Sequence, residues 1–300
     1  MELRQLEYFA AVARHGHFGR AASEVYVTQS ALSQQIARLE AELGVKLLAR
    51  TAKGVEMTPA GVELNEHATT ILNQVARARA AIDGHRGAVR GVARIAATSH
   101  DSAGLIPALV AFHRSHPQIQ LSLRHAPPVQ LLELLATGAV DAVVLGVGGG
   151  EPRMTAGAIV RTLTEEPLRL VCAPEDPLAG AKSASIETLR GVPVILPERG
   201  TALRELVVTS CQAAGFSPLP LFETSDRLTI RTLASEGLGY SAIPESWAQG
   251  DGPGTGIATV ADPVPRYRVA LVHGGEMPPI GALLVEELAA FFAATAHRPL

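Results

Sequence analysis

The stretch TQSALSQQIARLEAEL, residues 28–43, combines a helical pattern with a polar face that carries few charges. Solvent-exposed helix faces are usually rich in Lys and Glu, whereas hydroxyls and amides suit contact with a partner. A Gln side chain can form two hydrogen bonds with an adenine edge, and a helix N-terminus favours a phosphate oxygen. The residues with this chemistry, and an Arg at their margin, are Thr28, Gln29, Ser30, Ser33, Gln34 and Arg38. These residue types predict a helix that enters the major groove of DNA.

Two shorter helices are expected to position this one. Apolar residues recur at helical spacing from Leu3 to Ala13, and Gly16 should end that helix. A second helix is expected over about residues 20–25, and Thr28 is a good N-cap for the third. The apolar residues that share one face of the third helix are Leu32, Ile36, Leu39 and Leu43. Two helices joined by a tight turn predict a helix-turn-helix.

A basic hairpin is predicted directly after the third helix. VKLLARTAKGVEMT, residues 45–58, is short and partly apolar, with Gly54 at its turn. Arg50 and Lys53 in this hairpin could hold the DNA backbone across the minor groove. The spacing alone leaves an alternative open, a three-helix bundle whose polar face merely meets water.

A long helix is predicted from Thr58-Pro59, a cap followed by proline at the first helical position, to about Asp83. Its apolar residues step by four and three, and they are Leu64, Ala68, Ile71, Val75, Ala78 and Ile82. A stripe this narrow predicts pairing with a second copy of the helix. The alternative is a surface helix that packs on its own domain. Three glycines in residues 84–91 then predict a linker.

The rest of the chain alternates short β-branched runs with helical stretches. Examples of the runs are VARIAAT, DAVVLGV and RVALVH, with AGLIPALVAFHRSH between the first two. This alternation predicts an α/β architecture with buried, largely parallel sheets, and its length suffices for two small lobes. The stretch around residues 250–256 is expected to be a mobile surface loop.

Polar residues stand where three of the predicted strands lead into helices. Such junctions make good anion sites, since the N–H groups of the helix point at the ligand. The candidates are Thr98, Ser99, His100 and Ser102 at the first junction, Arg199 and Thr201 at the second, and Asp226 at the third. An Arg suits bidentate binding of a carboxylate. The alternatives are hydroxyls that only cap their helices and an Arg199 that only meets solvent.

The N-terminal sixty residues resemble the DNA-binding domain of LysR-type transcriptional regulators, from LRQLEYFAAVARHG to ARTAKGVEMTPAG. The α/β remainder resembles, more loosely, the effector-binding domain of that family. The resemblance implies a winged helix-turn-helix over residues 1–58, a dimerising linker helix over 59–90 and an effector domain over 91–300. It implies a periplasmic-binding-protein-like fold of two lobes for the last of these. Lobe I would span about 91–162 and 268–300, and lobe II about 163–267.

The resemblance also implies partners and reading residues. These are an operator in double-stranded DNA with an inverted repeat, a small-molecule effector between the lobes, and a homodimer that assembles into a homotetramer. In that family, bases are read from the positions of Gln29, Ser30, Ser33 and Gln34. Ser30 and Gln34 stand where Pro and Arg are frequent, and Gly19 stands where Ser or Thr often starts the second helix. Because of these departures, the base sequence of the operator does not follow from the resemblance.

Other classes of protein find little support in the sequence. GVGGGE, residues 146–151, fits neither a dinucleotide nor a phosphate-loop motif, and GYSAI, residues 239–243, lacks the second glycine of a nucleophile elbow. His113 and His116 have no further ligand cluster with them, so no enzyme, cofactor or metal is expected. Cys172 and Cys211 lie in apolar surroundings and are expected to be buried, reduced thiols. No apolar run approaches a membrane span, and a cytoplasmic location is expected. Two alternatives remain, a solute-binding protein of the same two-lobed fold and a DNA-binding protein without an effector.

Overall fold

The chain divides into two compact units in a computed structural model that describes residues 1–51, 54–84, 91–99, 101–148, 157–261 and 263–295. One unit comprises Met1–Ala88 with Ala136–Ala139. The other comprises Val89–Leu135 and Val140–Leu300. A helical pattern dominates the first unit, and alternating strands and helices dominate the second.

The first unit contains the predicted helices and hairpin. Its elements are α1 (Leu3–His15), α2 (Phe18–Glu24), α3 (Gln29–Leu43), β1 (Leu48–Thr51), β2 (Gly54–Met57) and α4 (Pro59–Gly84). Gly16 ends α1 in the left-handed conformation at φ 60°, which glycine adopts without strain. The Thr28 hydroxyl accepts from the Ala31 amide at 3.2 Å, so Thr28 caps α3 as predicted. The antiparallel pair of β1 and β2 forms the predicted hairpin.

The core of the first unit forms where α3 packs under α1 and the hairpin. Phe9, Leu32 and Leu39 are fully buried, and Ile36 is almost so. Leu43, the last residue of the predicted apolar face, is instead 39% exposed, because α3 ends there and Gly44 turns the chain away. The apolar face of α3 is therefore one step shorter than its sequence pattern indicates.

The apolar stripe of α4 divides into two parts. Leu64 packs against the core that contains Phe9 and Leu39, and Ala68 has no exposed surface. The prediction that these two residues contact a second copy of the helix is therefore wrong for Ala68. The side chain of Leu64 already packs in the core of its own domain. Further along, Ile71 and Val75 are half-buried, and Ala78 and Ile82 are exposed. Only this second part of the stripe is available for pairing.

The second unit contains nine strands and six helices among the residues that the structure describes. The strands are β3 (Gly91–Ala97), β4 (Ile119–His125), β5 (Ala142–Val147), β6 (Ala158–Cys172), β7 (Pro193–Leu196), β8 (Leu219–Glu223), β9 (Ser241–Pro244), β10 (Gly256–Thr259) and β11 (Arg266–Gly274). The helices are α5 (Ser102–Ser115), α6 (Pro128–Ala136), α7 (Ala202–Ala213), α8 (Arg227–Ser235), α9 (Glu245–Ala248) and α10 (Pro279–Thr295).

Two long strands, β6 and β11, run through both halves of this unit. The main sheet has the order β10-β6-β11-β5-β3-β4, and β9 pairs with β6. Only β3 with β4, β3 with β5, and β7 with β8 are parallel, so the expectation of largely parallel sheets is wrong. The two long strands cause the difference, since each pairs antiparallel with its neighbours.

The second unit has separate cores that define two lobes. In lobe I, α5 and α10 cover one face of the sheet, with Phe112 and Leu284 fully inside, and α6 covers the other face through Leu131. In lobe II, α7, α8 and β9 enclose residues such as Ile195, Val207 and Ile230, and the chain's single Trp lies there. Separate cores joined by two strands suit a pair of lobes with a cleft between them.

The stretch expected to be a mobile loop is tied down in the structure. Arg231 of α8 is only 5% exposed, and its guanidinium donates to the backbone carbonyls of Gly250, Asp251 and Pro253. A buried Arg with several carbonyl acceptors fixes the path of a segment that has little regular structure. Gly250 and Gly252 therefore pack closely on α8, and the expectation of a mobile loop is wrong.

Candidate DNA interface and effector cleft

One face of α3 brings the predicted base-reading residues together. Gln29, Ser30, Gln34 and Arg38 are exposed, and Ser33 is half-buried. The face holds amides and hydroxyls with a single cation at its edge, and this is a composition that fits base edges at close range. Thr28 differs from the others because its hydroxyl caps the helix and lies 3.2 Å from the Ser30 hydroxyl. Thr28 thus orients the start of α3.

The hairpin is fixed to α3 by a residue that sequence reasoning missed. Glu40 is 8% exposed, and its carboxylate accepts from the amides of Leu47 at 2.9 Å and Leu48 at 3.2 Å and from Lys46 Nζ at 2.6 Å. Burial by itself would raise the pKa of Glu40, but these hydrogen bonds lower it below its usual value. The signal in the sequence was a Glu at a helix position that shares the apolar face. Arg50 is exposed on β1, and Lys53 lies outside the described residues.

Replacing Glu40 by Ala is expected to lower the free energy of unfolding of the first unit by about 3 kcal/mol, because a buried amide and a partly buried one lose a charged acceptor. The pKa of Glu40 is lowered in the folded state, so its contribution is present above the ordinary value of 4.5 and is lost as the pH falls below it. Thermal melts between pH 3 and pH 7 measure both effects. Glu63→Ala, an exposed position on α4, is the matched control, and equal melts of the two variants would contradict this role.

Tyr26, in the turn before α3, is a second residue that the sequence reading passed over. Its side chain is 94% exposed, and its backbone φ is 56°. A bulky residue in the left-handed region is strained, and such strain usually persists where a side chain has a use. The ring lies two residues before the cap of α3, where the helix-turn-helix would approach a phosphate backbone.

A cleft of about 470 Å³ lies in the second unit and is lined from both lobes. It brings together Thr98, Ser99, Arg199, Thr201 and Asp226, which the sequence places up to 128 positions apart. His125, Ala126, Pro127, Pro128, Glu198, Ser225 and Arg227 complete the lining. Ser102 begins α5, although its side chain is not among those described, and His100 lies outside the described residues.

Two of the predicted ligand groups act as helix caps. The Thr201 hydroxyl donates to the Glu198 carbonyl at 2.7 Å and accepts from the Arg204 amide at 3.3 Å, so it caps α7. The Asp226 carboxylate accepts from the amide of Thr229 at 2.8 Å and from its hydroxyl at 2.6 Å. These hydrogen bonds lower the pKa of Asp226, which therefore carries a negative charge at neutral pH. Both residues line the cleft and fix the starts of their helices, and direct contact with an effector stays a prediction for both.

Thr98 is held in a similar way. It is 2% exposed, and its hydroxyl donates to the Asp101 carboxylate at 2.5 Å. Ser99, by contrast, is exposed at the cleft. Of the hydroxyls of Thr98 and Ser99, that of Ser99 is therefore the more accessible to a ligand.

Four helices begin at or close to this cleft, whose lining also includes two Arg and two acidic residues. Their first residues are Ser102, Pro128, Ala202 and Arg227, and each N-terminus carries a partial positive charge. The Asp226 carboxylate already occupies the end of α8, and prolines remove N–H groups from the end of α6. The acidic Asp101 directly precedes α5, whereas the neutral Thr201 caps α7. An anion would therefore be stabilised best at the end of α7.

Arg199 stands beside the end of α7 and points mainly to solvent. Its side chain is 81% exposed, and Nε lies 3.8 Å from a carboxylate oxygen of Glu223. Glu223 has a closer partner in Arg204 at 2.9 Å. Arg199 is thus loosely held, and it can turn towards a ligand without breaking a buried contact.

The two cysteines are buried, as predicted, Cys172 at 1% exposure and Cys211 at none. Burial raises the pKa of each thiol to about 11, and the charge of Asp176 adds to the effect at Cys172. Among the described residues no group of three or more His, Cys, Asp or Glu could hold a metal ion. In the same part of the chain, no helix is long and apolar enough to span a membrane.

The two units define a class of protein, a helix-turn-helix DNA-binding domain followed by a two-lobed domain with a cleft. The model of the bacterial regulatory helix-turn-helix proteins of the LysR family matches residues 3–62, and the model of the LysR substrate binding domain matches residues 86–293. The chain therefore belongs to the LysR family of transcriptional regulators. This assignment replaces the solute-binding alternative.

Similar proteins cover almost the whole chain. The transcriptional dual regulator GltC of Bacillus subtilis is 32% identical over 272 residues, which cover 90% of this chain and 86% of GltC. A hydrogen peroxide-inducible genes activator of Dickeya chrysanthemi is 30% identical over 276 residues, covering 91% and 89%. The crystal structure of full-length CbnR in complex with its target DNA has a TM-score of 0.73 and 28% identity, covering 97% of this chain and 99% of CbnR. These relatives are regulators and not enzymes.

Proposed function

We propose that this regulator reads an inverted-repeat operator with α3 and that a small anionic effector in the cleft modulates its activity. The observation that carries the proposal is the face of α3, where exposed amides and hydroxyls project beside a single Arg. Gln29, Ser30, Ser33 and Gln34 would contact base edges, and Arg38 and Arg50 would hold phosphates. Tyr26 would add a hydroxyl contact to the backbone at the start of α3. The protein regulates and does not catalyse, and it acts in the cytoplasm, where the DNA is.

A dimer would place two copies of α3 on the two half-sites. The second part of the α4 stripe, Ile71, Val75, Ala78 and Ile82, supplies an apolar surface for that pairing. The exposed strand β8 offers another surface, since Leu219, Leu221 and Phe222 are 73%, 52% and 46% exposed and, within the described part of the chain, the strand pairs only with β7. An exposed apolar edge suits a second kind of contact between copies. Two such surfaces together support a homotetramer.

Selection of random DNA duplexes by the purified chain tests the reading of DNA. The proposal predicts enrichment of one sequence made of two inverted half-sites, with centres one helical turn or a multiple of it apart. The half-sites should be enriched in adenine at positions that Gln29 or Gln34 can reach. Recovery of sequences without a common motif would contradict the proposal.

A carboxylate is the effector class that the cleft fits best. The N-terminus of α7 adjoins the cleft through its cap Thr201, Ser99 is accessible, and Arg199 can form a bidentate contact with a carboxylate. Pro127 and Pro128 form a wall without N–H groups, which would contact the apolar part of such a molecule. Asp226 and Glu198, which also line the cleft, would disfavour a second anionic group.

Replacing Arg199 by Ala is expected to weaken carboxylate binding by on the order of tenfold or more, as lost charged hydrogen bonds usually do. The measurement is the rise in melting temperature of the chain across a panel of acetate, succinate, benzoate and citrate, followed by calorimetric titration of those that stabilise it. Arg114→Ala, on the exposed side of α5, is the control. Equal affinity of the wild type and Arg199→Ala for the carboxylate would show that Arg199 does not bind it.

Sensing by cysteine oxidation is not part of the proposal, although one relative is a hydrogen peroxide-inducible genes activator. Thiolates are the species that react with peroxide, and a pKa of about 11 leaves roughly one thiol in a thousand ionised at pH 8. We expect both thiols to resist a disulfide reagent in the native chain and to react at once in guanidinium chloride. DNA binding should survive millimolar hydrogen peroxide. Rapid oxidation of Cys172 or Cys211 with loss of DNA binding would contradict this expectation.

A further inference from the structure

Tyr267 connects the two lobes of the second unit. It lies on β11, is 1% exposed, and its ring packs in the core of lobe II. Trp247 meets it edge to face, with ring centroids 6.4 Å apart. In the strand ladder Tyr267 stands opposite Glu166 of β6, close to a bulge between Val269 and Ala270. The residue therefore sits where the long strands pass from one lobe to the other.

The hydroxyl of Tyr267 reaches into lobe I. It donates to one oxygen of the Asp101 carboxylate at 3.0 Å, and Asp101 immediately precedes α5. Burial, together with the negative charge of Asp101, raises the pKa of Tyr267 well above its usual value, so its hydroxyl remains a donor. The ring thus belongs to one lobe and its hydrogen bond to the other.

The second oxygen of Asp101 is bonded to a residue of the cleft wall and to the central sheet. It accepts from the Thr98 hydroxyl at 2.5 Å and from the Gly146 amide of β5 at 2.8 Å. Thr98 lines the cleft. One carboxylate, 7% exposed, therefore joins a residue of the cleft wall to β5 of lobe I and to Tyr267 of β11, a strand that passes between the lobes.

The contact leaves no spare room. A Cβ atom on Gly146 would lie 1.9 Å from the Tyr267 hydroxyl oxygen and 2.5 Å from the ring carbon that bears it. The glycine lets the hydroxyl lie directly against the β5 backbone. Packing this close transmits small displacements, because an interior has few voids to absorb them.

We propose that Thr98, Asp101 and Tyr267 form a coupling network through which occupancy of the cleft alters the contact between the lobes. The inference rests on the proposed effector function of the cleft. A ligand that accepts the Thr98 hydroxyl proton must compete with Asp101 for it, since the hydroxyl has one proton to donate. Asp101 would then keep its bonds from Gly146 and Tyr267, and the position of Tyr267 between the lobes would adjust. Asp101 and Tyr267 are positioning residues in this scheme and do not touch the ligand.

Trp247 gives a direct test, because it is the only tryptophan in the sequence and contacts Tyr267. The experiment compares tryptophan emission of the full chain in the wild type, Thr98→Val, Tyr267→Phe and the double variant, without any ligand. Thr98→Val should shift the emission relative to that of the wild type. The same substitution made in the Tyr267→Phe background should cause no shift. Ser225→Ala removes a cleft hydroxyl that accepts from the Glu198 amide, and it should leave the emission unchanged.

An unchanged emission in Thr98→Val, or the same shift in both backgrounds, would overturn the coupling. A second arm titrates acetate, succinate, benzoate and citrate. Any of them that raises the melting temperature should shift Trp247 emission in the wild type, whereas in Tyr267→Phe it should still raise the melting temperature without the shift. If none stabilises the wild type, the proposed effector class is wrong, and the ligand-free comparison still decides the coupling.

Discussion

Replacing Gln29 and Gln34 together by Ala is expected to abolish most of the sequence preference in DNA binding while leaving non-specific binding intact. A bidentate contact between a side chain and a base provides about 1–3 kcal/mol of discrimination, so two such contacts correspond to roughly thirtyfold or more. Neither substitution removes a charge, so the salt dependence of binding should not change. Both side chains are exposed, and the fold should tolerate the change.

Gln35→Ala is the matched control for this prediction. Gln35 has the same side chain on the same helix, but it lies about 100° around the axis from Gln34 and is half-buried. Fluorescence anisotropy on the selected operator and on a scrambled duplex gives the preference of each variant. An unchanged preference in the double variant, or an equal loss in Gln35→Ala, would show that other residues read the bases.

Replacing Gly61 by Ala is expected to destabilise the first unit strongly. A Cβ atom there would lie 2.1 Å from the Leu47 carbonyl oxygen, and that backbone atom belongs to the segment that leads into β1. Helix propensity alone favours Ala over Gly by about 1 kcal/mol, but displacing a packed backbone costs more than that gain. The net loss should be about 2 kcal/mol or more, a fall in melting temperature of roughly 10 °C for a unit of this size. Operator affinity should fall with it, since α4 and the hairpin would separate.

Gly104→Ala provides an unusually close control. Gly104 is the third residue of α5 as Gly61 is the third residue of α4, and an alanine precedes each. A Cβ atom on Gly104 would meet nothing within 4 Å, so this substitution should stabilise its unit by roughly 0.5–1 kcal/mol. Calorimetry of the full chain follows both variants. A stabilising Gly61→Ala would show that the close approach to Leu47 is not required.

The sequence predicted the first unit well because its signals are local. Gly16, Thr28 and the Thr58-Pro59 pair mark the ends of helices through interactions with residues three or four positions away. The α4 stripe was the exception. Periodicity identifies an apolar face but not what covers it, so Ala68 was assigned to a second copy although its own domain buries it.

The cleft was harder to predict because its roles depend on contacts across long stretches of chain. The junction residues were found, but the sequence does not show that Thr98 donates to Asp101 or that Thr201 and Asp226 cap helices. Tyr267 is separated from Asp101 by 166 positions and gave no local signal. The roles of Glu40 and Tyr26 were missed because they too depend on the folded structure. In the sequence, Glu40 resembles any Glu of a helix and Tyr26 resembles any residue of a turn.

The central claim is that the face of α3 reads a specific DNA sequence. The most direct test is fluorescence anisotropy of the full chain on the DNA just upstream of its own gene, with a scrambled duplex titrated beside it at two salt concentrations. We predict a preference of roughly a thousandfold that persists at the higher salt concentration. Equal affinity for the two duplexes, falling together as salt is added, would contradict the claim.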